Sequence, residues 1–161
     1  MPTVIGLDPG AVNGIAVFQD GKLTSLVNVN RLGLLRYLSY ASQTYPNLQV
    51  IMEDSRMAPF WADNKSQKVR AALPVMVRAA RNLGQVDCLC NLVHEWCIDS
   101  GVPIICVSPK QKGAKVTSHG EFAKMSGWGG KSSSQHERDA WLVAHRYRHI
   151  RVVGKPQPKT N

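Results

Sequence analysis

Three β-prone runs precede the first helix-like stretch and a fourth follows it, and this order restricts the fold more than any other feature of the chain. TVIGLD (residues 3–8) and GIAVF (14–18) are short apolar runs joined by the turn-rich Pro9-Gly10-Ala11-Val12-Asn13, which predicts an antiparallel hairpin. A third run, near Leu23–Val29, follows the turn signal Asp20-Gly21. From Arg31 to Tyr45, Leu32, Leu34, Leu35 and Leu38 recur at near-helical spacing, and Pro46-Asn47 ends that pattern before the apolar run LQVIME (48–53). The order is β-β-β-α-β. If the strands are arranged 3-2-1-4-5, the first and fourth lie side by side.

Beyond this point an irregular polar and aromatic segment, SRMAPFWADNK (55–65), leads into one long or two consecutive helices between Ser66 and Asp99, with Pro74 and Gly84 as expected bends. PIICV (103–107) adds a further parallel strand. SPKQKGAKVTS (108–118) and GWGGKSSS (127–134) read as surface loops around a short helix near Glu121–Ser126, and a last helix spans about Gln135 to His149. With 161 residues, 43% of them hydrophobic, the chain suits a single domain, set here at residues 1–154, with 155–161 expected to be a disordered tail.

Twenty Lys and Arg against 11 acids give a formal net charge of +9, which favours a polyanionic partner. Nucleic acid leads and an anionic membrane is second; solubility alone is the plain alternative. No basic start precedes an apolar stretch, and no run approaches the ~20 apolar residues needed to span a bilayer. A soluble, cytoplasmic protein of a bacterial or phage-infected cell, or of an organelle, is expected. Cys88, Cys90, Cys97 and Cys106 lack paired-knuckle spacing and read as reduced, buried thiols. Cys90, His94 and Cys97 share one helix face, but with no fourth ligand apparent that face reads as core.

Three acids stand at the ends of elements that ought to be buried: Asp8 after the first strand, Glu53 after the fourth, Asp139 in the first turn of the last helix. A carboxylate beside an apolar strand is costly unless paired, hydrogen-bonded or coordinated, and no basic residue nearby in sequence offers itself. Oxygen ligands with one imidazole favour Mg²⁺ or Mn²⁺ over zinc, and two such ions ~4 Å apart suit phosphodiester hydrolysis. Taken singly, each acid has an ordinary alternative: a turn residue before Pro9-Gly10, a strand cap, or a helix start that complements the macrodipole.

In combination, VIGLDPG…GIAVF, VIMED, NLGQ, VSPKQKGAKVTSHG and HERDAWLVA resemble the RuvC-type Holliday junction resolvases of the RNase H-like (retroviral integrase) superfamily, from about residue 3 to residue 146. The resemblance implies an RNase H-like α/β fold, a five-stranded mixed sheet in the order 3-2-1-4-5 flanked by helices. It implies a Mg²⁺-dependent endonuclease of DNA recombination and repair, with two ions per site and Mn²⁺ able to substitute. Such an enzyme resolves four-way junctions by paired nicks leaving 5′-phosphates, and works as a C2 homodimer on branched DNA.

Asp8 and Glu53 would be metal ligands, and His136 and Asp139 would fall on the family's final acidic pair, where either Asp or His occurs; Glu137 would face elsewhere. Lys110, Lys112, Lys115 and Lys124 would contact DNA, although a family lysine falls on Gly113. Phe60 and Trp61 occupy the place of an aromatic wedge at the crossover, or else fold onto the core. The first turn departs from the pattern, with three residues rather than four between Gly10 and Gly14. The helix Gln85–Asp99 is either the dimer interface or an ordinary core helix, and no helicase partner is legible. Rival readings are a related nuclease acting on RNA or on branched or flapped DNA, and a non-catalytic nucleic-acid-binding protein of the same fold. A two-domain sugar-kinase or actin-like ATPase needs a longer chain.

Overall fold

Ile15, Ala16, Val17 and Phe18 are all buried, so both sides of one strand are shielded and the sheet must be covered on both faces. In the computed structural model, which describes residues 2–58 and 73–152, that strand is the second of β1 (Thr3–Asp8), β2 (Val12–Gln19), β3 (Lys22–Asn30), β4 (Leu48–Glu53) and β5 (Ile104–Val107). The order is β3-β2-β1-β4-β5. β1 is antiparallel to β2 and parallel to β4, β2 is antiparallel to β3, and β4 is parallel to β5. This is the expected mixed sheet, and it sets β1 beside β4.

Side chains alternate across it. Ile5, Leu7, Ile15, Val17, Val50 and Met52 face α1 (Arg31–Thr44) and the second half of α2 (Leu73–Asp99), meeting Leu34, Leu38, Leu89, Val93 and Cys97. Val4, Ala16, Phe18 and Ile51 face α3 (His119–Ser126) and α4 (Gln135–Tyr147), meeting Phe122, Trp141 and Val143. α1 starts where the Asn30 side chain accepts a hydrogen bond from the Gly33 amide at 2.7 Å. Its buried stripe is Leu34, Leu38 and Ala41. Leu32, one of the leucines at near-helical spacing, is 66% exposed, because two residues before Leu34 is most of half a turn away from it.

α2 continues through Gly84 as one helix, and Pro74 lies in its first turn, where a missing N–H is harmless. Its first half is exposed, with Val75, Met76 and Val77 in solvent, while Leu89 and Val93 of the expected interface segment belong to the core and Leu92 stays exposed. All four cysteines are free; Cys90 and Cys97 are buried, but Cys88 is exposed and Cys106 only half-buried, which corrects the reading of four buried thiols. Among the described residues no helix is long and apolar enough to cross a membrane. Phe60, Trp61 and the tail 155–161 lie outside the described residues.

α4 lies directly on the backbone of β1 and β2. A Cβ at Gly6 would come 2.2 Å from the Ala140 carbonyl oxygen, and one at Gly14 would come 1.9 Å from that of His136. Trp141, 1% exposed, locks the outer side of the helix with its ring edge-on to Phe122, centroids 5.2 Å apart.

Candidate active site

Strand parity decides where the acids go. Asp8 and Glu53 have the parity of Val4 and Ile51, so both project from the α4 face, at the ends of adjacent parallel strands one step beyond the Leu7–Met52 pair. Asp139 comes down from α4 to meet them. It begins the second turn rather than lying in the first, since the helix starts at Gln135 behind the N-cap Ser134. Asp8, Glu53, His136 and Asp139 together line an open cleft of about 440 Å³, with Pro9, Lys112, Lys115 and Gln135. A larger cleft of about 650 Å³, at the other end of the sheet around Tyr45, Gln49 and Val102, has no carboxylate in its lining.

Within the smaller cleft, His136 Nδ1 is 3.1 Å from Asp8 Oδ2. Gln135 Nε2 donates to Asp139 Oδ1 at 3.0 Å. The Lys112 ammonium lies against Glu53 Oε2 and 3.6 Å from Asp139 Oδ2, and Lys115 Nζ is 3.7 Å from that same oxygen. Burial pushes Asp8 up from 3.8 to about 6. The bond to His136 and the charge of Lys112 oppose that rise, while the charges of Glu53 and Asp139 add to it. Burial acts the other way on Lys112, but the facing Glu53 carboxylate, with Asp8 and Asp139 beyond it, outweighs burial and holds the ammonium above its ordinary pKa.

Of the other residues singled out in the sequence, Glu137 is out of the site. Its carboxylate accepts from the Ser134 amide at 2.6 Å and completes a capping box. Lys115 is exposed at the cleft, whereas Lys110 and Lys124, both exposed, are not among the residues lining it. Lys112 sits inside, 5% exposed, and supplies the pairing that no neighbour in sequence had offered to the acids. Gly113 has φ +94°, and its missing side chain leaves room for the Arg146 guanidinium, whose central carbon is 2.9 Å from where a Cβ would stand; a lysine there would be strained.

Two residues escaped the sequence reading. Gln135 touches Asp139 as described, and Arg138, 8% exposed, donates to the carbonyls of Val116 (2.9 Å) and Thr117 (3.1 Å), tying the loop after β5 to the start of α4. A signal was available for Arg138: it stands four residues before Leu142 and three before Trp141, on the buried phase of the helix.

Three carboxylates and an imidazole, around a cation already held by two of the acids, form a donor set that fits a hard divalent ion. As they stand, no group of three or more His, Cys, Asp or Glu side chains among the described residues is gathered closely enough to hold one. The centre of the cluster is taken by the Lys112 ammonium.

No protein-family model matches the chain, and no curated protein does. Among solved structures, a chain described as T. thermophilus RuvC in complex with Holliday junction substrate superposes with a TM-score of 0.59 at 20% identity, over 92% of this chain and 93% of that one. At this identity the likeness speaks for architecture. With its sheet order and flanking helices, the chain therefore has the RNase H-like fold of RuvC.

Proposed function

We propose that the protein is a structure-selective endonuclease that resolves four-way DNA junctions, working with Mg²⁺ as a homodimer. The observation that carries this reading is the meeting of Asp8, Glu53 and Asp139 from β1, β4 and α4 in one cleft, on the fold of a protein solved with a Holliday junction substrate. The net charge of +9 suits a phosphate-rich partner.

Asp8, Glu53, Asp139 and His136 would hold the divalent cations, and the chemistry supplied there would be activation of water and stabilisation of the leaving 3′-oxygen, which leaves 5′-phosphate and 3′-hydroxyl ends. The chain's own groups prepare this. Gln135 fixes one oxygen of Asp139 and leaves the other directed into the cleft beside Lys112 and Lys115. His136, with Nδ1 on Asp8, is placed to orient that carboxylate, leaving Nε2 as its ligating atom. Lys115, with Lys110 and Lys124 further out, meets backbone phosphates and holds the strand across the acids. Two symmetrical nicks need two sites, hence the C2 dimer, for which exposed Val75, Met76, Val77 and Leu92 of α2 offer apolar surface.

The test compares the parent with Asp8→Asn on a synthetic four-way junction and on flap, linear duplex and RNA–DNA hybrid substrates, with Mg²⁺ and with EDTA. Junction cleavage should require Mg²⁺ and fall at least ~10³-fold in the variant, as for loss of a group acting on developing charge. Equal cutting by Asp8→Asn would sink the mechanism, and equal cutting of duplex or hybrid would sink the substrate.

A further inference from the structure

Lys112 does not behave as a lysine of a surface loop. It is 5% exposed, pressed against Glu53 Oε2 and 3.6 Å from Asp139 Oδ2. A lysine is buried only when paired, and here both partners are acids to which the proposed function gives divalent cations. We infer that Lys112 is the resident counter-cation of the site: its ammonium holds Glu53 and Asp139 while no divalent ion is bound, and must leave that place for one to enter. The inference rests on the metal-dependent reading above.

Two observations favour exchange over a permanent salt bridge. Among the described residues no aligned hydrogen bond reaches the buried Glu53 Oε2, whose charge the Lys112 ammonium answers. Lys112 is carried by the loop after β5, whereas Asp8, Glu53 and Asp139 are fixed on two strands and a helix. Arg146 and Tyr147 hold that loop at the Gln111 carbonyl, but the four-carbon lysine side chain can swing out by rotamer change, so the ammonium is the member of the cluster free to go. Entry of a divalent ion is then a competition with a charge the chain supplies itself, which weakens metal binding and spares the empty site the mutual repulsion of three acids.

The experiment is Mn²⁺ binding without DNA, by titration calorimetry and thermal unfolding, on the full chain as parent, Lys112→Met and Asp8→Asn. In EDTA, Lys112→Met should unfold roughly 5–10 °C lower than the parent, because acids are left uncompensated. It should nevertheless bind Mn²⁺ roughly tenfold tighter or more, the competing charge being gone. Equal or weaker binding overturns the inference. Amine acetylation of the parent read by mass spectrometry serves if Lys112→Met does not fold: Lys112 should be protected in EDTA and labelled faster with Mn²⁺, relative to Lys110, and unchanged protection overturns the assignment. If neither parent nor Lys112→Met binds Mn²⁺, the metal reading falls and the inference with it. If the parent binds, Asp8→Asn does not, and Lys112→Met shows no gain, only the role of Lys112 is lost.

Discussion

α4 and α2 are both long helices with apolar content, yet they meet the sheet in opposite ways. From Arg138 to Ala144 every residue of α4 is buried, and at Gly6 and Gly14 the helix rests on bare strand backbone. α2 uses only its second half, through Leu89, Cys90, Val93 and Cys97, and leaves residues 74–82 exposed. The difference follows from what each must hold. α4 carries His136 and Asp139, whose distance from Asp8 and Glu53 has to be fixed; the first half of α2 carries no site residue and is free to present surface.

The contrast breaks most readily at Gly14. Gly14→Ala would drive a methyl into the His136 carbonyl, and the expected loss is at least about 4 kcal/mol in chemical denaturation, an exceptional effect for one methyl. A loss under ~1 kcal/mol would mean that α4 can lift off the sheet, and the account of the site as rigid would be wrong.

A pH series sharpens the same side. Asp8 holds its proton up to about 6 in the folded chain against 3.8 ordinarily, so its contribution to folding is complete below 3.8 and is lost as pH rises through about 6. Spread over roughly two units this is about 3 kcal/mol. Denaturation in EDTA at several pH values, parent minus Asp8→Asn, should show the parent losing that advantage between pH 4 and 7, and Mn²⁺ at pH 7 should restore stability, because ligation needs the deprotonated acid. A difference that does not change with pH would place Asp8 in water rather than in the cluster.

The smallest effect tests α2. Gly84 is exposed in mid-helix with nothing within 4 Å of an added Cβ, so Gly84→Ala should stabilise by about 0.5–1 kcal/mol through helix propensity alone. Destabilisation would show that this stretch is packed against something in solution, such as a second copy of the chain.

How much could be read beforehand follows the same division. The strands and the acids at their ends were legible because each strand is an apolar run punctuated by turn chemistry, whereas the order 3-2-1-4-5 that sets Asp8 beside Glu53 came from the family resemblance and not from the runs themselves. Which of Leu32, Leu34, Leu35 and Leu38 would be buried was not legible, because a cluster of leucines shows that a helix is amphipathic without giving its phase. Lys112 was invisible as a partner: 59 positions separate it from Glu53, and a lysine among Pro109, Gln111 and Gly113 has the look of a solvated loop. Arg138 was legible from its helix phase, shared with Trp141 and Leu142, but was passed over in a polar helix start between Ser134 and Glu137.

The two glycines beneath α4 also bear on how such a site survives sequence drift. The gap between the strand acids and Asp139 is measured chiefly by helix backbone lying on strand backbone, with the Ala144 methyl beside Gly6. A core change that leaves α4 seated leaves that ruler at its length. The spacing is set closest by two residues with no side chain at all.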